Sequence, residues 1–103
     1  MMNIIKKQSD DRLTIALEGR LDISTAPDLE QVVVGSLAGV ADLVFDLEKL
    51  SYISSAGLRV LLLAQKKMNK QGSMKVIHVN EIIMEVFVNM GFSDIMTIEQ
   101  EQI

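Results

Sequence analysis

Between Ala41 and Val79 the hydrophobic period of the chain changes twice, and this alternation restricts the possible folds more than any other feature. "ADLVFDL" (41–47) is an apolar run of strand length, and "MKVIHV" (74–79) is another. Between them "SAGLRVLLLAQKKMNKQG" (55–72) is helical in spacing, since at about 100° per residue Leu58, Leu61, Ala64 and Met68 share one broad face. Gly72 supplies a helix stop. Two strands joined by a helix of crossover length call for parallel pairing, with the helix packed on the sheet.

The flanking segments extend the pattern. "NIIKKQ" (3–8) and "RLTIALEG" (12–19) read as a hairpin joined through Ser9, Asp10 and Asp11, because Leu13, Ile15 and Leu17 alternate with Thr14, Ala16 and Glu18. "STAPDLEQVVVGSLAG" (24–39) places Leu29, Val33 and Leu37 four apart, with Val32 beside them, behind Ser24 or Thr25 as N-cap and with Pro27 in the first turn. Asn80 is positioned to cap "EIIMEVFVNMG" (81–91), whose stripe is Ile83, Phe87 and Met90. "IMTI" (95–98) reads as a closing strand, and "EQEQI" (99–103) as a polar end that frays beyond it. The expected class is α/β: a mixed, mostly parallel sheet of four to five strands with an N-terminal hairpin and helices packed on it, in a single domain over residues 1–103.

Composition excludes several functions. There is no cysteine, so disulfides, thiolate metal sites and cysteine nucleophiles are ruled out, and a reducing compartment is indicated. A net charge of −4 disfavours wrapping a phosphate backbone, so direct nucleic-acid binding is not expected. Arg59, Lys66, Lys67, Lys70 and Lys75 cluster in sequence, but no aromatic residues interleave them, and they read as a solvated face. The start lacks the apolar stretch of a signal peptide, and apolar runs such as Val60 to Ala64 are too short for a bilayer, which predicts a cytoplasmic protein without membrane insertion.

The chemistry concentrates at "YISSAGLR" (52–59), where a strand gives way to a helix. Ser54 and Ser55 lie just past the carboxyl end of a strand, where open α/β sheets build their sites. Either hydroxyl can serve as an N-cap, worth about 1 kcal/mol over Ala. Either can also accept a phosphate, which the partly positive N–H groups of a helix start would hold favourably. Nucleophilic catalysis requires a base, and the only histidine, His78, lies in a predicted strand without a recognisable partner. There is no nucleophile elbow, no phosphate-binding glycine loop and no metal-ligand cluster legible in the sequence. No catalytic residue, cofactor or metal is therefore expected. Gly57 is read either as part of the site or as a point of close helix–strand approach. Leu63 projects between Arg59 and Lys67, an apolar side chain amid positive charge, explained either by a partner or by a covering helix; Val34, Met84 and Val88 raise the same question less strongly.

"EGRLDISTA" (18–26) and "DLEKLSYISSAGLRVLL" (46–62) together resemble the STAS family, and among its members the bacterial anti-sigma factor antagonists. The order of elements agrees over nearly the whole chain. The resemblance implies that Ser55, with Ser54 as second choice, is phosphorylated by an anti-sigma factor serine kinase of GHKL ATPase type, with Asp22 as the bordering acidic residue. It implies that the unphosphorylated form binds this kinase and frees a sigma factor, and that a PP2C-type phosphatase restores the hydroxyl. On this reading Asp22, Ser54, Ser55, Gly57, Arg59, Leu63 and Lys67 form the partner-binding surface. The sequence departs from the pattern at Ser54, where the antagonists usually carry Asp. The other expectation from the resemblance is a STAS scaffold or accessory subunit, of stressosome or lipid-transport type, that binds its partner constitutively.

Overall fold

The structure, a computed structural model, describes residues 2–100. Strand β1 (Met2–Ser9) pairs antiparallel with β2 (Arg12–Leu21), in a register running from Ser9↔Arg12 to Met2↔Gly19. The turn between them passes through Asp10 at φ 56°, a left-handed conformation that a short polar side chain tolerates. Helix α1 (Ala26–Ser36) then leads to β3 (Asp42–Ile53), α2 (Ser55–Met68) to β4 (Ser73–Val79), and α3 (Glu81–Asn89) through a single 3₁₀ turn (Phe92–Asp94) to β5 (Thr97–Gln100). Within the described residues the sheet has five strands in the order β1-β2-β3-β4-β5, and every pair after the hairpin is parallel. The expected mixed sheet with packed helices is therefore present.

Alternation explains where the core lies. Leu13, Ile15 and Leu17 of β2, Leu43, Phe45 and Leu47 of β3, and Met74 and Val76 of β4 point to one side, where they join Leu29 and Val33 of α1, Leu58, Leu61 and Ala64 of α2, and Ile83 and Phe87 of α3 in one buried cluster. The opposite face carries the half-exposed Thr14, Ala16 and Asp46. Two positions break the period of two. On β3 the buried residues after Leu47 are Leu50 and Ile53, three apart, where the pairing with β2 shifts register. On β4 the next buried residue after Val76 is Val79, because His78 is left-handed at φ 58° and pairing with β5 shifts there.

The first of these irregularities accounts for one difference from the sequence reading, and the others arise at the ends of elements. β3 continues to Ile53 instead of ending near Leu47, since its bulged half loses the alternation that marks a strand. α2 ends at Met68, short of Gly72. Gly72 is needed for space and not for a left-handed cap: a Cβ there would overlap the Ala41 carbonyl oxygen, while its N–H donates to Met68 O at 2.7 Å. Met90 falls outside the buried stripe of α3 and is 53% exposed, because the helix stops before it. The last strand begins two residues late, after the 3₁₀ turn, leaving Met96 buried and Ile95 exposed. Glu99 and Gln100 belong to β5, and the rest of the predicted frayed end, 101–103, lies outside the described residues. Among the described residues no helix is long and apolar enough to cross a membrane.

Candidate functional site

The parallel pairing of β2 and β3 brings their carboxyl ends together. Leu21 lies opposite Ile53, and the Ser54 N–H donates to the Leu21 carbonyl at 2.9 Å. Asp22 and the Ser54–Ser55 pair therefore leave the sheet side by side, where ligand-facing loops of α/β sheets gather.

On the β2 side, Asp22 Oδ1 accepts from the Ser24 hydroxyl at 2.7 Å, the Ser24 N–H at 3.0 Å and the Thr25 N–H at 3.2 Å. This Asx-type turn organises the entry to α1. Thr25 stands at the N-cap position as expected, but neither its hydroxyl nor that of Ser24 caps the helix. Thr25 Oγ1 instead donates to Arg20 O at 2.9 Å and accepts the Asp22 N–H at 2.8 Å, satisfying polar groups on the part-buried side of the turn. The Ser24 hydroxyl holds the Asp22 carboxyl below its ordinary value of 3.8, outweighing the partial desolvation that pushes the other way, and the Ser24 and Thr25 backbone and the Thr25 hydroxyl add to the lowering. Asp22 is consequently a carboxylate at neutral pH.

On the β3 side, Ser54 is extended and its hydroxyl accepts the Gly57 N–H at 3.3 Å, while its carbonyl accepts the Leu58 N–H at 3.0 Å. Ser54 is thus the N-cap of α2 and is half-buried. Ser55, the first helical residue, is exposed. The two serines, of which the resemblance put Ser55 first and Ser54 second, differ in structure: Ser54 closes the helix and Ser55 faces water.

Gly57 does not contribute surface. It is buried, and a Cβ would lie 2.5 Å from Leu21 Cγ and 3.2 Å from Ile53 Cγ1, so it permits α2 to approach β2 and β3. Leu63, for which both a partner and a covering helix were open, is half-buried and packed against the core, and Lys67 is half-buried. Arg59 is exposed as expected. Of the weaker candidates, Val34 and Val88 are exposed and Met84 is half-buried. His78 does have a partner: its Nδ1 lies 2.9 Å from Asp46 Oδ1. With Glu48 these residues form a group of possible metal ligands that the sequence reading had not anticipated, since strand register and the left-handed backbone at His78 bring them together.

The sequence reading also missed three residues at this edge. Arg20 and Tyr52 pair in register across β2 and β3, and the guanidinium lies over the ring at 4.2 Å from its centroid, with Nε 3.8 Å from Asp22 Oδ2. Ile23 is 80% exposed in the Asp22 turn. Its signal was legible as an apolar residue between Asp22 and Ser24 in a polar turn, whereas the Arg20–Tyr52 contact depends on a register that a single sequence does not display.

Residues 3–102 match the STAS domain. The chain belongs to the STAS family. Among its relatives, the anti-sigma-B factor antagonist of Bacillus subtilis (strain 168) is 32% identical over 98 residues, which cover 94% of this chain and 90% of that one. Two solved structures share the fold at lower identity. An anti-sigma factor antagonist from Mycobacterium paratuberculosis has a TM-score of 0.88 at 22% identity, covering 96% of this chain and 86% of that one. The phosphorylated form of the Bacillus cell-fate determinant SpoIIAA has a TM-score of 0.75 at 17% identity, covering 96% and 93%. The STAS sheet, with its hairpin and its parallel crossovers, thus positions Asp22, Ser54 and Ser55 at one edge of this chain.

Proposed function

We propose that this STAS protein is an anti-sigma factor antagonist, a single cytoplasmic regulatory domain that acts by binding and not by catalysis. Its unphosphorylated form docks an anti-sigma factor serine kinase of GHKL ATPase type through the edge carrying Asp22, Ser55 and Arg59, and so frees a sigma factor. The kinase phosphorylates Ser55 and thereby ends the docking, and a PP2C-type phosphatase reverses the modification. The names of the curated relatives support the antagonist role.

The observation that carries the switch is the division of labour between the two serines. Ser54 is engaged with the Gly57 N–H, whereas Ser55 is exposed at the first turn of α2. A phosphate on Ser55 adds up to about two negative charges beside a helix start that stabilises them. The fold therefore survives, and the effect falls on the interface. Against one partner carboxylate at about 6 Å and an effective dielectric near 20, the repulsion is roughly 5 kcal/mol before salt screening. Half of that corresponds to about a hundredfold loss of affinity.

The test is incubation with an anti-sigma factor serine kinase of the same organism and ATP, followed by intact mass, site mapping, and binding measured before and after. One phosphate on Ser55, unchanged amide spectra and an affinity loss of about a hundredfold are expected. Stable binding without transfer would instead identify a constitutive scaffold, and transfer to Ser54 would refute the assignment of the acceptor.

A further inference from the structure

On the open face of the sheet, Asp46 and Glu48 of β3 meet His78 of β4. His78 Nδ1 lies 2.9 Å from Asp46 Oδ1 and 3.9 Å from Glu48 Oε1, and one ligand atom from each residue falls within 4.8 Å of the others. Simple alternation would not produce this meeting. His78 is two residues beyond Val76 and four beyond Met74, both buried, so a regular strand would turn its ring toward the core. The left-handed backbone at His78 redirects the ring to Asp46, and the ring remains 44% exposed. On β3, the Glu48 N–H donates to Asp46 Oδ1 at 3.1 Å at the bulge, which fixes that carboxylate oxygen in front of the imidazole.

We infer that Asp46, Glu48 and His78 form a binding site for one first-row divalent cation of the Zn²⁺ class. A four-coordinate ion with bonds of about 2.0–2.2 Å keeps its ligand atoms about 3.3–3.5 Å apart. The 2.9 Å and 3.9 Å separations from His78 lie on either side of that spacing, and the Asp46 and Glu48 oxygens lie within 4.8 Å of each other, so side-chain shifts of about an ångström convert the cluster into three ligands, leaving a fourth position. One imidazole with two carboxylates selects first-row metals over Mg²⁺ or Ca²⁺, which prefer oxygen cages. The local charge permits a cation. Asp46, Glu48 and Glu18 border the same cavity of about 200 Å³ as Lys7 and Lys49, and Lys49 is already 3.7 Å from Glu18. The cavity opens beside Asp46 and Glu48 and offers an entry path. Bound there, the ion would join β3 to β4.

The full chain titrated with ZnCl₂ by calorimetry, and with CoCl₂ by visible absorption, tests this site. Saturable binding of one equivalent and a raised melting temperature are expected. His78→Gln and Glu48→Gln are each expected to weaken binding at least tenfold while leaving the amide spectrum intact; Glu48 is exposed, so its replacement tests the site even where altering the left-handed residue 78 impairs folding. Absence of saturable binding at millimolar ion, or less than a tenfold change in Glu48→Gln, would overturn the inference.

Discussion

The β2–α1 and β3–α2 turns leave the same edge of the sheet, and each presents two adjacent hydroxyl residues at a helix start, but they use them differently. In the first turn both hydroxyls are engaged: Ser24 donates to the Asp22 carboxylate and Thr25 to the Arg20 carbonyl. In the second turn Ser54 caps α2 and Ser55 is left in water. The first turn has a carboxylate at its centre and draws its neighbours inward. The second has none, because Ser54 stands where the antagonists usually carry Asp. A serine that caps is a poor acceptor, since modifying it would remove the bond that starts the helix. An exposed serine one position later can take a phosphate without that cost. The contrast between the turns, more than the presence of serines, supports Ser55 as the acceptor in the proposed switch.

The comparison is broken most severely by moving the two turns apart. Gly57→Ala inserts a methyl group 2.5 Å from Leu21 Cγ in a fully buried contact. Overpacking of this kind costs about 1–3 kcal/mol, and urea denaturation should show a loss in that range. Because Leu21 immediately precedes Asp22, the same variant should weaken docking of the kinase even though residue 57 is buried. Loss of stability with unchanged docking would separate the packing role of Gly57 from the geometry of the edge.

Smaller substitutions sharpen the contrast between the serines. Ser54→Ala removes the acceptor for the Gly57 N–H and should cost about 1 kcal/mol of stability while leaving Ser55 available to the kinase. Ser55→Ala touches an exposed hydroxyl and should change stability by less than about 0.5 kcal/mol while abolishing phosphate incorporation. In the sequence both serines are candidate caps, so Ser55→Ala would confound loss of a cap with loss of the acceptor. With Ser54 in that position, the variant becomes a clean control. Equal destabilisation by the two replacements, measured in the same denaturant series, would remove the basis for assigning them different roles.

How much of this was legible in the sequence follows from the range of the interactions involved. The helices, the hairpin and the parallel sheet are encoded by local periodicity, and Leu58, Leu61, Ala64 and Met68 occupy the core as their spacing requires. Asn80 caps α3 as expected, with its side chain accepting the Ile83 N–H at 2.9 Å. The far half of β3 was illegible because its bulges replace a period of two with buried residues three apart. The role of Thr25 was obscured because a Thr before a helix signals a cap whether its hydroxyl turns forward to the helix or back to Arg20. The contacts Arg20 with Tyr52 and Asp46 with His78 cross between strands, and they require a register, and for His78 a left-handed backbone, that composition does not announce. The serine pair lay between these cases: its location was readable and the resemblance put Ser55 first, whereas the engagement of Ser54 as the cap is visible only in the structure.

The smallest expected effect concerns the charge at the centre of the first turn. Asp22 titrates below its ordinary value of 3.8 in the folded protein, with the Ser24 hydroxyl the leading cause. The unfolded chain therefore binds more protons than the folded one between the two values, and stability rises with pH across that window. The contribution is complete above the unfolded value and is lost as pH falls through the folded one. The carboxylate is partly exposed, so solvent screens its share of total stability, and the direct readout is its titration by carbon NMR. Ser24→Ala should move the Asp22 midpoint upward, toward 3.8, because it deletes the hydroxyl bond of 2.7 Å while the Ser24 and Thr25 N–H groups remain. An unmoved midpoint would mean that the turn's N–H groups and the Thr25 hydroxyl set this charge without Ser24, and the contrast drawn between the Ser24 and Ser55 hydroxyls would then lose its electrostatic part.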